Sequence, residues 1–400
     1  MKISPLFLII IGFLIGLSCH SGSKDSIVSP THIHRQSIAP VLSPREISFV
    51  KNYKNHLEEN INAEGIPGAA FCIVKGPKTL AAQGIGKSKI NSKESVDAYT
   101  LFRLGSLSKC VTGALIARLV NEKLIHWNTN VVDILPEFTL KNPAQTERIT
   151  LAHLLSHSTG LPYHSYTNLI EAGLSMEEIM PYFSEVDLFA AEGEMCAYQN
   201  AAFSISELML EKVTTLPLEK IYEQFLFDPI GMCEANTSRH RMIDSKHATP
   251  HRLNRKTRKA YPKSISHKYY NAIPCGGINA SISDMARFLQ LAMGNFPELL
   301  SEEQLNFMIS PFVPTPGTRY FDRWSDEPSH YGMGWRILQY KGHKLAYHGG
   351  YVNNFRTEIA FDINRKIGIC LFFNANAPYA KKAVPLFFDQ WDLAFEDENL

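Results

Sequence analysis

A serine and a lysine three residues apart, Ser106 and Lys109, form the pair in this chain best suited to chemistry. They stand at the start of an apolar run with helical spacing, and positions i and i+3 of a helix share one face. The amine could then take the proton of the hydroxyl, which converts a weak nucleophile into an effective one. Free N–H groups at a helix start also favour developing negative charge. The pair predicts acyl transfer through a serine.

Spacing alone does not single out Ser106, because two other serines are also followed by a lysine at the third position. Ser21 lies in a polar stretch near the N-terminus, and Ser48 lies in a predicted surface helix. A pair of common polar residues at this spacing is usually part of a solvated surface. Only the motifs that follow Ser106 along the chain distinguish it from Ser21 and Ser48 as a candidate nucleophile.

Two later motifs supply further groups that an acyl-transfer site needs. Tyr198 and Asn200 come just before a helix with an apolar period, and a His-Gly-Gly sequence at residues 348–350 ends a predicted strand. Glycines within a strand let a ligand or another backbone lie close to its edge. The same Tyr-x-Asn pattern at Tyr166 is the alternative for the first of these motifs.

The elements that would position these motifs begin with a helix. Ser43 and Glu46 have the types and spacing of a capping box, in which the two side chains bond free backbone N–H groups. An apolar helical period follows, and Gly65 is the predicted end of the helix. Apolar runs at residues 69–74 and 79–82 then predict two strands.

Strands return in the C-terminal part of the chain. Three apolar runs, at residues 345–348, 356–361 and 367–373, are separated by short turns and predict an antiparallel meander. The middle of the chain shows mainly helical patterns, one of them with Ser283 as its N-cap, and a last helix is predicted over residues 380–395. The fold class is therefore predicted to be α/β (α+β). An antiparallel sheet flanked by helices is built from the N- and C-terminal parts, with a mainly helical insertion between them.

The N-terminus has the pattern of an export signal. Lys2 precedes an apolar stretch that is too short to span a bilayer. The end of this stretch resembles a bacterial lipoprotein cleavage site with Cys19 as the lipidated residue; simple cleavage and an uncleaved anchor are the alternatives. The chain is thereby divided into a signal peptide at residues 1–19, a flexible tether at 20–42 and one domain at 43–396, whose α/β part covers about 43–125 and 300–396 and whose helical part covers about 126–299.

Bulk composition excludes several kinds of partner. The formal net charge is +1 over 400 residues, and 45% of the residues are hydrophobic, as in an ordinary soluble protein. A charge so close to zero implies neither nucleic acid nor an anionic membrane surface. Contact with a membrane is expected only through the N-terminal anchor. The seven cysteines, Cys19 apart, are predicted to be buried free thiols, with disulfides as the alternative.

In their order along the chain, these motifs resemble the serine β-lactamase and penicillin-binding-protein superfamily, in particular the branch related to class C β-lactamases. That branch also contains D-alanyl-D-alanine carboxypeptidases, D-amino acid peptidases and esterases. The resemblance extends from about residue 44 to residue 376. It includes Leu-Phe-Arg at residues 101–103, the stretch at 149–157 and Gly-Gly-Ile-Asn at 276–279.

The resemblance implies a role for each catalytic motif. Ser106 would form the acyl-enzyme, and either Lys109 or Tyr198 would be the base, a point disputed across the superfamily. A lysine base must be partly neutral near pH 7, and both burial and a second cation lower a lysine pKa. Asn200 would bind the acyl-side amide of the substrate and the lysine. The backbone N–H groups of Ser106 and Tyr351 would form the oxyanion hole.

The His-Gly-Gly sequence occupies the place where β-lactamases carry Lys-Thr-Gly, so His348, Gly349 and Gly350 are predicted to bind substrate. At His348, a permanent cation able to hold a β-lactam carboxylate would be replaced by a group that titrates near neutrality. Histidine at this position is typical of carboxypeptidase-like, D-aminopeptidase-like and esterase-like members. An efficient β-lactamase is therefore less expected.

The predicted function is that of an exported serine hydrolase, in the periplasm or cell envelope, which cleaves an amide or ester of a small molecule or peptide. A class C-type β-lactamase is one alternative, and a penicillin-binding or envelope-binding protein with a decayed site is another. No metal or organic cofactor is expected. His153 and His157, four apart on one predicted helical face, suggest zinc only weakly because no HExxH pattern accompanies them. The sequence does not indicate an oligomeric state.

Overall fold

The computed structural model describes residues 40–317 and 324–395, so the predicted signal peptide, Cys19 and nearly all of the predicted tether lie outside the described residues. Within these ranges, no helix combines the length and the apolar character needed to cross a membrane. The α-helices of the described chain are α1 (Pro44–Glu64), α2 (Ser108–Asn121), α3 (Val131–Ile134), α4 (Pro143–Thr146), α5 (Leu151–Leu155), α6 (Thr167–Ala172), α7 (Met176–Ile179), α8 (Asn200–Thr214), α9 (Leu218–Tyr222), α10 (Asp228–Ile230), α11 (Arg239–Asp244), α12 (Ile273–Gly276), α13 (Ile282–Ala292), α14 (Glu302–Met308) and α15 (Ala383–Ala394).

The strands of the described chain form one large sheet and two small ones. In chain order they are β1 (Gly68–Lys75), β2 (Lys78–Gly86), β3 (Phe102–Arg103), β4 (His251–Leu253), β5 (Ala260–Pro262), β6 (Asn279–Ala280), β7 (Val313–Pro314), β8 (His330–Tyr331), β9 (Arg336–Tyr340), β10 (His343–Val352), β11 (Phe355–Asp362) and β12 (Ile367–Phe373). Strand β3 pairs with β6, and β4 with β5.

The large sheet joins the two ends of the described chain. Its order is β2-β1-β12-β11-β10-β9-β8-β7, and every neighbouring pair is antiparallel. The first strand and the last are direct neighbours, with Ala69 opposite Phe373. Most of the helices come from the chain between β2 and β7. The predicted fold class is confirmed.

Both faces of this sheet are covered. Side chains alternate between the faces of a strand, and every residue of β12 is buried. Leu371 packs with α1 and α15 in one apolar cluster, whereas Phe372 packs with α2 and α13 in the other. Covering both faces explains why β12 is a continuous apolar run instead of an alternating one. Packing on both faces holds the strands of the sheet, including β10 and β11, in fixed positions.

Helix α1 begins and ends where the sequence predicts. The hydroxyl of Ser43 accepts a bond from the Glu46 backbone N–H at 3.2 Å, and the Glu46 carboxylate accepts one from the Ser43 N–H at 2.8 Å. This is the predicted capping box. The helix ends at Gly65, which is also as predicted.

Two predicted helix boundaries were wrong. The N-cap of α13 is Ser281, not Ser283, because Asp284 stands three residues after Ser281 and completes a buried capping box with it. The last helix begins at Ala383 instead of residue 380, since Tyr379–Lys381 forms a 3₁₀ turn. Both errors are two or three residues long, and neither changes which elements form.

The cysteines of the described chain are all free thiols, as predicted, but they are not all buried. Five of the six are buried, and Cys233 is exposed. Cys72 and Cys370 face each other directly across β1 and β12 without a disulfide between them. These thiols pack as small apolar side chains.

Candidate active site

Ser106 lies in a 3₁₀ turn, Gly105–Leu107, that leads directly into α2. Helix α2 is buried on nearly all sides, which is typical of a helix at the centre of a domain. Ser106 itself is half-buried, whereas Lys109, in the first turn of α2, is fully buried. A serine at the surface of a cleft thus stands above a lysine inside the protein.

The amine of Lys109 is held by two oxygens. Its Nζ donates to Oδ1 of Asn200 at 2.8 Å and to the carbonyl oxygen of Cys275 at 2.9 Å, and it lies 4.6 Å from the centre of the Tyr198 ring. Among the described residues, no carboxylate forms an ion pair with it, and no hydrogen bond joins it to Ser106. Catalytic hydrogen bonds are often long without substrate, so this geometry does not exclude proton transfer.

The surroundings of Lys109 favour its neutral form. Burial, with a smaller contribution from the positive charge of Arg336, lowers the pKa of Lys109 from 10.5 to about 8. At pH 7 about one tenth of the amine is then neutral. The partly neutral lysine that the mechanism requires is therefore supplied by burial and a second cation, the two causes predicted from the sequence.

Tyr198 precedes α8, and its backbone is fixed by a buried histidine. The Nδ1 of His157 accepts a bond from the backbone N–H of Gln199 at 3.1 Å, and the His157 ring centre lies 4.3 Å from that of Tyr198. Burial and the charge of Lys109 lower the pKa of His157 well below 6.5, so the ring is neutral. His157 therefore positions the tyrosine, a role more specific than the structural one the sequence suggested.

The predicted shared helical face of His153 and His157 was wrong. Helix α5 ends at Leu155, and His157 has a φ of 60°, so the two rings do not lie one turn apart on a helix. In the part of the chain that the structure describes, no group of three or more His, Cys, Asp or Glu side chains is arranged to hold a metal ion.

The last residues of strand β10 lie against the 3₁₀ turn that contains Ser106. Pairing of β10 with β9 stops at Tyr347, opposite Arg336, so residues 348–352 pair on one side only. A Cβ on Gly350 would stand 2.2 Å from the carbonyl oxygen of Leu104, so only glycine permits this approach. A Cβ on Gly105 would stand 2.9 Å from the backbone nitrogen of Tyr351. The Ser106 turn and the Tyr351 N–H are thus neighbours.

One cavity of about 260 Å³ collects most of the predicted residues. Ser106, Tyr198, Asn200, Gly349 and Tyr351 line it, while Lys109 lies beneath it and Gly350 packs behind it. The remaining lining residues are Gly105, His164, Tyr269, Cys275, Gly276, Arg336, Val352 and Arg356. The alternative Tyr-x-Asn motif at residues 166–168 is not among them. The lining includes two arginines and no Asp or Glu from the described chain.

The structure places His348, a predicted substrate-binding residue, inside the protein. This side chain is fully buried and does not line the cavity. Its Nδ1 donates to the carbonyl oxygen of Gly349 at 3.0 Å, and its Nε2 accepts from the hydroxyl of Tyr331 at 2.8 Å. Burial, with the charges of Arg336 and Lys109, lowers the pKa of His348 well below 6.5. Alternation along β10 turns His348 into the protein and Gly349 toward the cavity, so His348 stays neutral near pH 7.

Arg336 and Arg356 are the charged residues of the cavity lining, and sequence reasoning missed both. Arg336 directly follows Trp335, whose ring is core and stacks on Phe288 at 6.1 Å. A signal for Arg356 was present, because a short turn after β10 sets the register and places Arg356 opposite Tyr351. Counting residues across that turn from Tyr351 would have predicted that Arg356 lies beside the cleft.

Comparisons with known proteins agree with this architecture. The family model described as Beta-lactamase matches residues 54–386. Two solved structures are similar in fold. The octameric penicillin-binding protein homologue from Pyrococcus abyssi has a TM-score of 0.73 at 23% identity, over 85% of this chain and 77% of that one. EstCE1, a hydrolase with promiscuous acyltransferase activity, has a TM-score of 0.74 at 19% identity, over 87% of this chain and 99% of that one.

The proteins of similar sequence are longer than this chain. An unguisins hydrolase of Aspergillus campestris is 24% identical over 347 residues, which cover 82% of this chain and 62% of that protein. Protein flp of Staphylococcus aureus (strain MRSA252) is 22% identical over 335 residues, 82% of this chain and 63% of that protein. The chain thus spans less than two thirds of the length of these relatives.

Proposed function

Because the chain belongs to the beta-lactamase family, we propose that it is a serine hydrolase which cleaves an amide or ester through an acyl-enzyme on Ser106. The observation that carries the proposal is the buried amine of Lys109, bonded to Asn200 beneath the Ser106 turn, with a pKa of about 8. Perturbed lysines of this kind cluster at functional sites. The hydrolases among the similar proteins also support hydrolysis as the reaction.

The reaction proceeds in two stages. The oxygen of Ser106 attacks the substrate carbonyl carbon while its proton passes to Lys109, directly or through the phenol of Tyr198. The carbonyl oxygen becomes an oxyanion, which the backbone N–H groups of Ser106 and Tyr351 stabilise. The bond to the leaving group breaks, and the leaving group takes the proton. Water then attacks the acyl-enzyme by the same route and releases the acid.

A decayed binding protein is the less favoured alternative. A buried lysine without an acidic partner destabilises a fold, so a chain free of catalytic function would readily replace it. Here the amine keeps two oxygen partners, and Tyr198 is positioned by His157. Ser106, Lys109, Tyr198 and Asn200 are therefore all present, as an active enzyme requires.

Covalent labelling tests the proposal. Incubation with an alkyl fluorophosphonate is expected to add one phosphonyl group per chain, because the activated serine displaces fluoride. Intact mass and peptide mapping should place that group on Ser106 and find none on the Ser106→Ala variant. The Ser48→Ala variant is the matched control, since Ser48 has the same spacing to a lysine but is exposed on α1. A label that maps to any other residue rejects the mechanism.

We also propose that the protein acts outside the cytoplasm, on the strength of the signal-peptide pattern at residues 1–19. If Cys19 is the lipidated residue, cells fed radiolabelled palmitate should incorporate it into the parent protein. The Cys19→Ser variant should incorporate none. The Cys233→Ser variant removes an exposed cysteine of the folded domain and should be labelled like the parent. Equal labelling of the parent and the Cys19→Ser variant would contradict the lipid anchor.

A further inference from the structure

Positive charge is concentrated in one hairpin of the described chain. Residues 251–263, which include strands β4 and β5, contain six Lys or Arg and no Asp or Glu. We name this segment the basic hairpin, and its cations are Arg252, Arg255, Lys256, Arg258, Lys259 and Lys263. All six of these residues are exposed. Because the net charge of the whole chain is +1, the residues outside the hairpin carry −5.

The cations of the basic hairpin lack the ion pairs that their neighbours in sequence form. Before the hairpin, Lys246 pairs with Asp97 at 2.6 Å. After it, Lys268 pairs with Glu171 at 2.5 Å. Among the described residues, no carboxylate lies within ion-pair distance of any of the six hairpin cations, and that of Glu64, at the end of α1, accepts a bond from a backbone N–H. Like charges held close together repel, so an anionic partner would stabilise this arrangement.

The basic hairpin is fixed to the body of the domain. Leu253 packs against the apolar cluster that contains α1 and α15. The backbone N–H of His251 donates to the carbonyl oxygen of Asn374 at 2.7 Å. A Cβ on Gly65 would stand 2.1 Å from the carbonyl oxygen of Arg258, so the turn of the hairpin touches the end of α1. These contacts hold one side of the hairpin and leave the cations on the surface.

Asn254 orders the turn that carries four of the cations. Its Oδ1 accepts bonds from the backbone N–H groups of Lys256 at 3.0 Å and Thr257 at 3.1 Å. Its own N–H donates to the carbonyl oxygen of Lys259 at 2.9 Å. The backbone of the turn therefore needs no ordering when the hairpin binds a partner, which lowers the entropic cost of binding.

An exposed aromatic ring indicates which kind of anionic partner fits. Tyr261 is 42% exposed and lies opposite Arg252 in the strand pair, with the guanidinium carbon 5.7 Å from the ring centre. Tyrosine is enriched at the level of lipid headgroups, where its ring is partly apolar and its hydroxyl is wet. Lysine and arginine beside it are attracted to anionic headgroups. An exposed ring among cations favours a membrane surface over a soluble polyanion.

We propose that the basic hairpin docks the domain on the anionic headgroups of a lipid bilayer. The proposal rests on the export proposed above, which brings the protein to the cell envelope. It also revises an expectation from the sequence. A net charge of +1 over the whole chain suggested no attraction to an anionic membrane, but that total conceals a local excess of six cations.

The length of the chain before the domain is compatible with this docking. Helix α1 has 21 residues and is about 32 Å long, and it separates the start of the domain from the turn of the hairpin. The predicted tether at residues 20–42 can span at most about 80 Å. A lipid anchor on Cys19 and the basic hairpin could therefore reach the same bilayer.

Vesicle binding by the full chain tests the proposal. Lipid is titrated as neutral vesicles of phosphatidylcholine, and as anionic vesicles of phosphatidylcholine and phosphatidylglycerol in equal amounts. Sedimentation gives the apparent partition constant for each. The quantity compared is the ratio of the anionic to the neutral constant. An apolar N-terminus binds both kinds of vesicle, so its contribution largely cancels in this ratio.

We expect the parent to bind the anionic vesicles about 10- to 100-fold more tightly than the neutral ones. A variant in which the four turn cations become glutamine should lower the ratio about tenfold; its substitutions are Arg255→Gln, Lys256→Gln, Arg258→Gln and Lys259→Gln. The matched control removes four exposed lysines outside the hairpin and should keep the parent ratio; its substitutions are Lys51→Gln, Lys78→Gln, Lys123→Gln and Lys212→Gln. Raising the salt from about 0.1 M to about 1 M should bring the parent ratio close to one.

Three results would overturn the proposal. The first is a parent ratio below about twofold at low salt. The second is an equal loss in the control variant, which would assign the preference to total charge. The third is a parent that sediments with immobilised polyphosphate but shows no preference for anionic vesicles, which would make a soluble polyanion the partner. Failure of the export proposal is a separate result, since it would leave the parent in the cytoplasmic fraction of cells whatever the ratio is.

Discussion

Replacing Ser106 with alanine is expected to lower kcat by about 10⁴-fold or more for every ester that the parent hydrolyses. The variant has no nucleophile, and the oxyanion hole and substrate binding can supply only the remaining rate. The fold should be unaffected. Ser106 is half-buried beside the cavity, and its hydroxyl makes no hydrogen bond to a residue of the described chain. Steady-state kinetics and thermal melting of the purified variant measure both quantities.

The Ser48→Ala variant is the control for this experiment. Ser48 and Lys51 repeat the serine-lysine spacing on α1, where Ser48 is exposed. The Ser48→Ala variant should therefore keep the parent kcat. If the Ser106→Ala variant kept about a tenth of the parent kcat, the nucleophile would have to be another residue, since loss of a true nucleophile removes far more.

The second large effect is expected at Lys109. The Lys109→Gln variant should lower kcat by about 10²- to 10⁴-fold, the usual contribution of a positioned acid or base. The amine is fully buried, bonded to Asn200 and Cys275, and close to the ring of Tyr198. Glutamine retains a donor for these oxygens but cannot take a proton. Lys51→Gln is the matched control, because it removes the exposed lysine of the other pair.

The pH dependence identifies what Lys109 does. Burial lowers its pKa to about 8, so the protonated amine predominates below pH 8 and the neutral amine above it. If the neutral amine is the base, kcat/KM of the parent should rise with pH and level off above about 8, and the rise should vanish in Lys109→Gln. The Lys109→Arg variant stays charged at every pH and should remain as slow as Lys109→Gln. Recovery of activity in Lys109→Arg would instead make Tyr198 the base and Lys109 a fixed positive charge.

Much of the fold could be predicted because its signals are local. The capping box of Ser43 and Glu46 depends on residues three apart, and it forms as predicted. The continuous apolar run of β12 reflects burial on both faces, and the short turns of the meander fix antiparallel pairing. The errors at Ser281 and Ala383 are also local, since competing caps within a few residues differ by about 1 kcal/mol.

The candidate site was predictable only in part. Ser106 and Lys109 share one helix start, and Tyr198 and Asn200 share one helix entry, so each pair follows from spacing. That both pairs surround one cavity was suggested by family resemblance and not by any spacing within this chain. The environment of His348 could not be predicted at all, because the hydroxyl it bonds belongs to Tyr331, on a strand that reaches it only through the sheet.

The sequence by itself identified the candidate residues for the chemistry, most of the helices and strands, and an antiparallel sheet built from the N- and C-terminal parts of the domain. The individual helices and strands depend on spacing, capping and alternation among residues that are close in the sequence. Only the tertiary structure decided that Lys109 is buried enough to be partly neutral, that His348 turns inward, and that Arg356 occupies the space beside Gly349. Burial and charge depend on which distant segments pack together, and no local pattern specifies that packing.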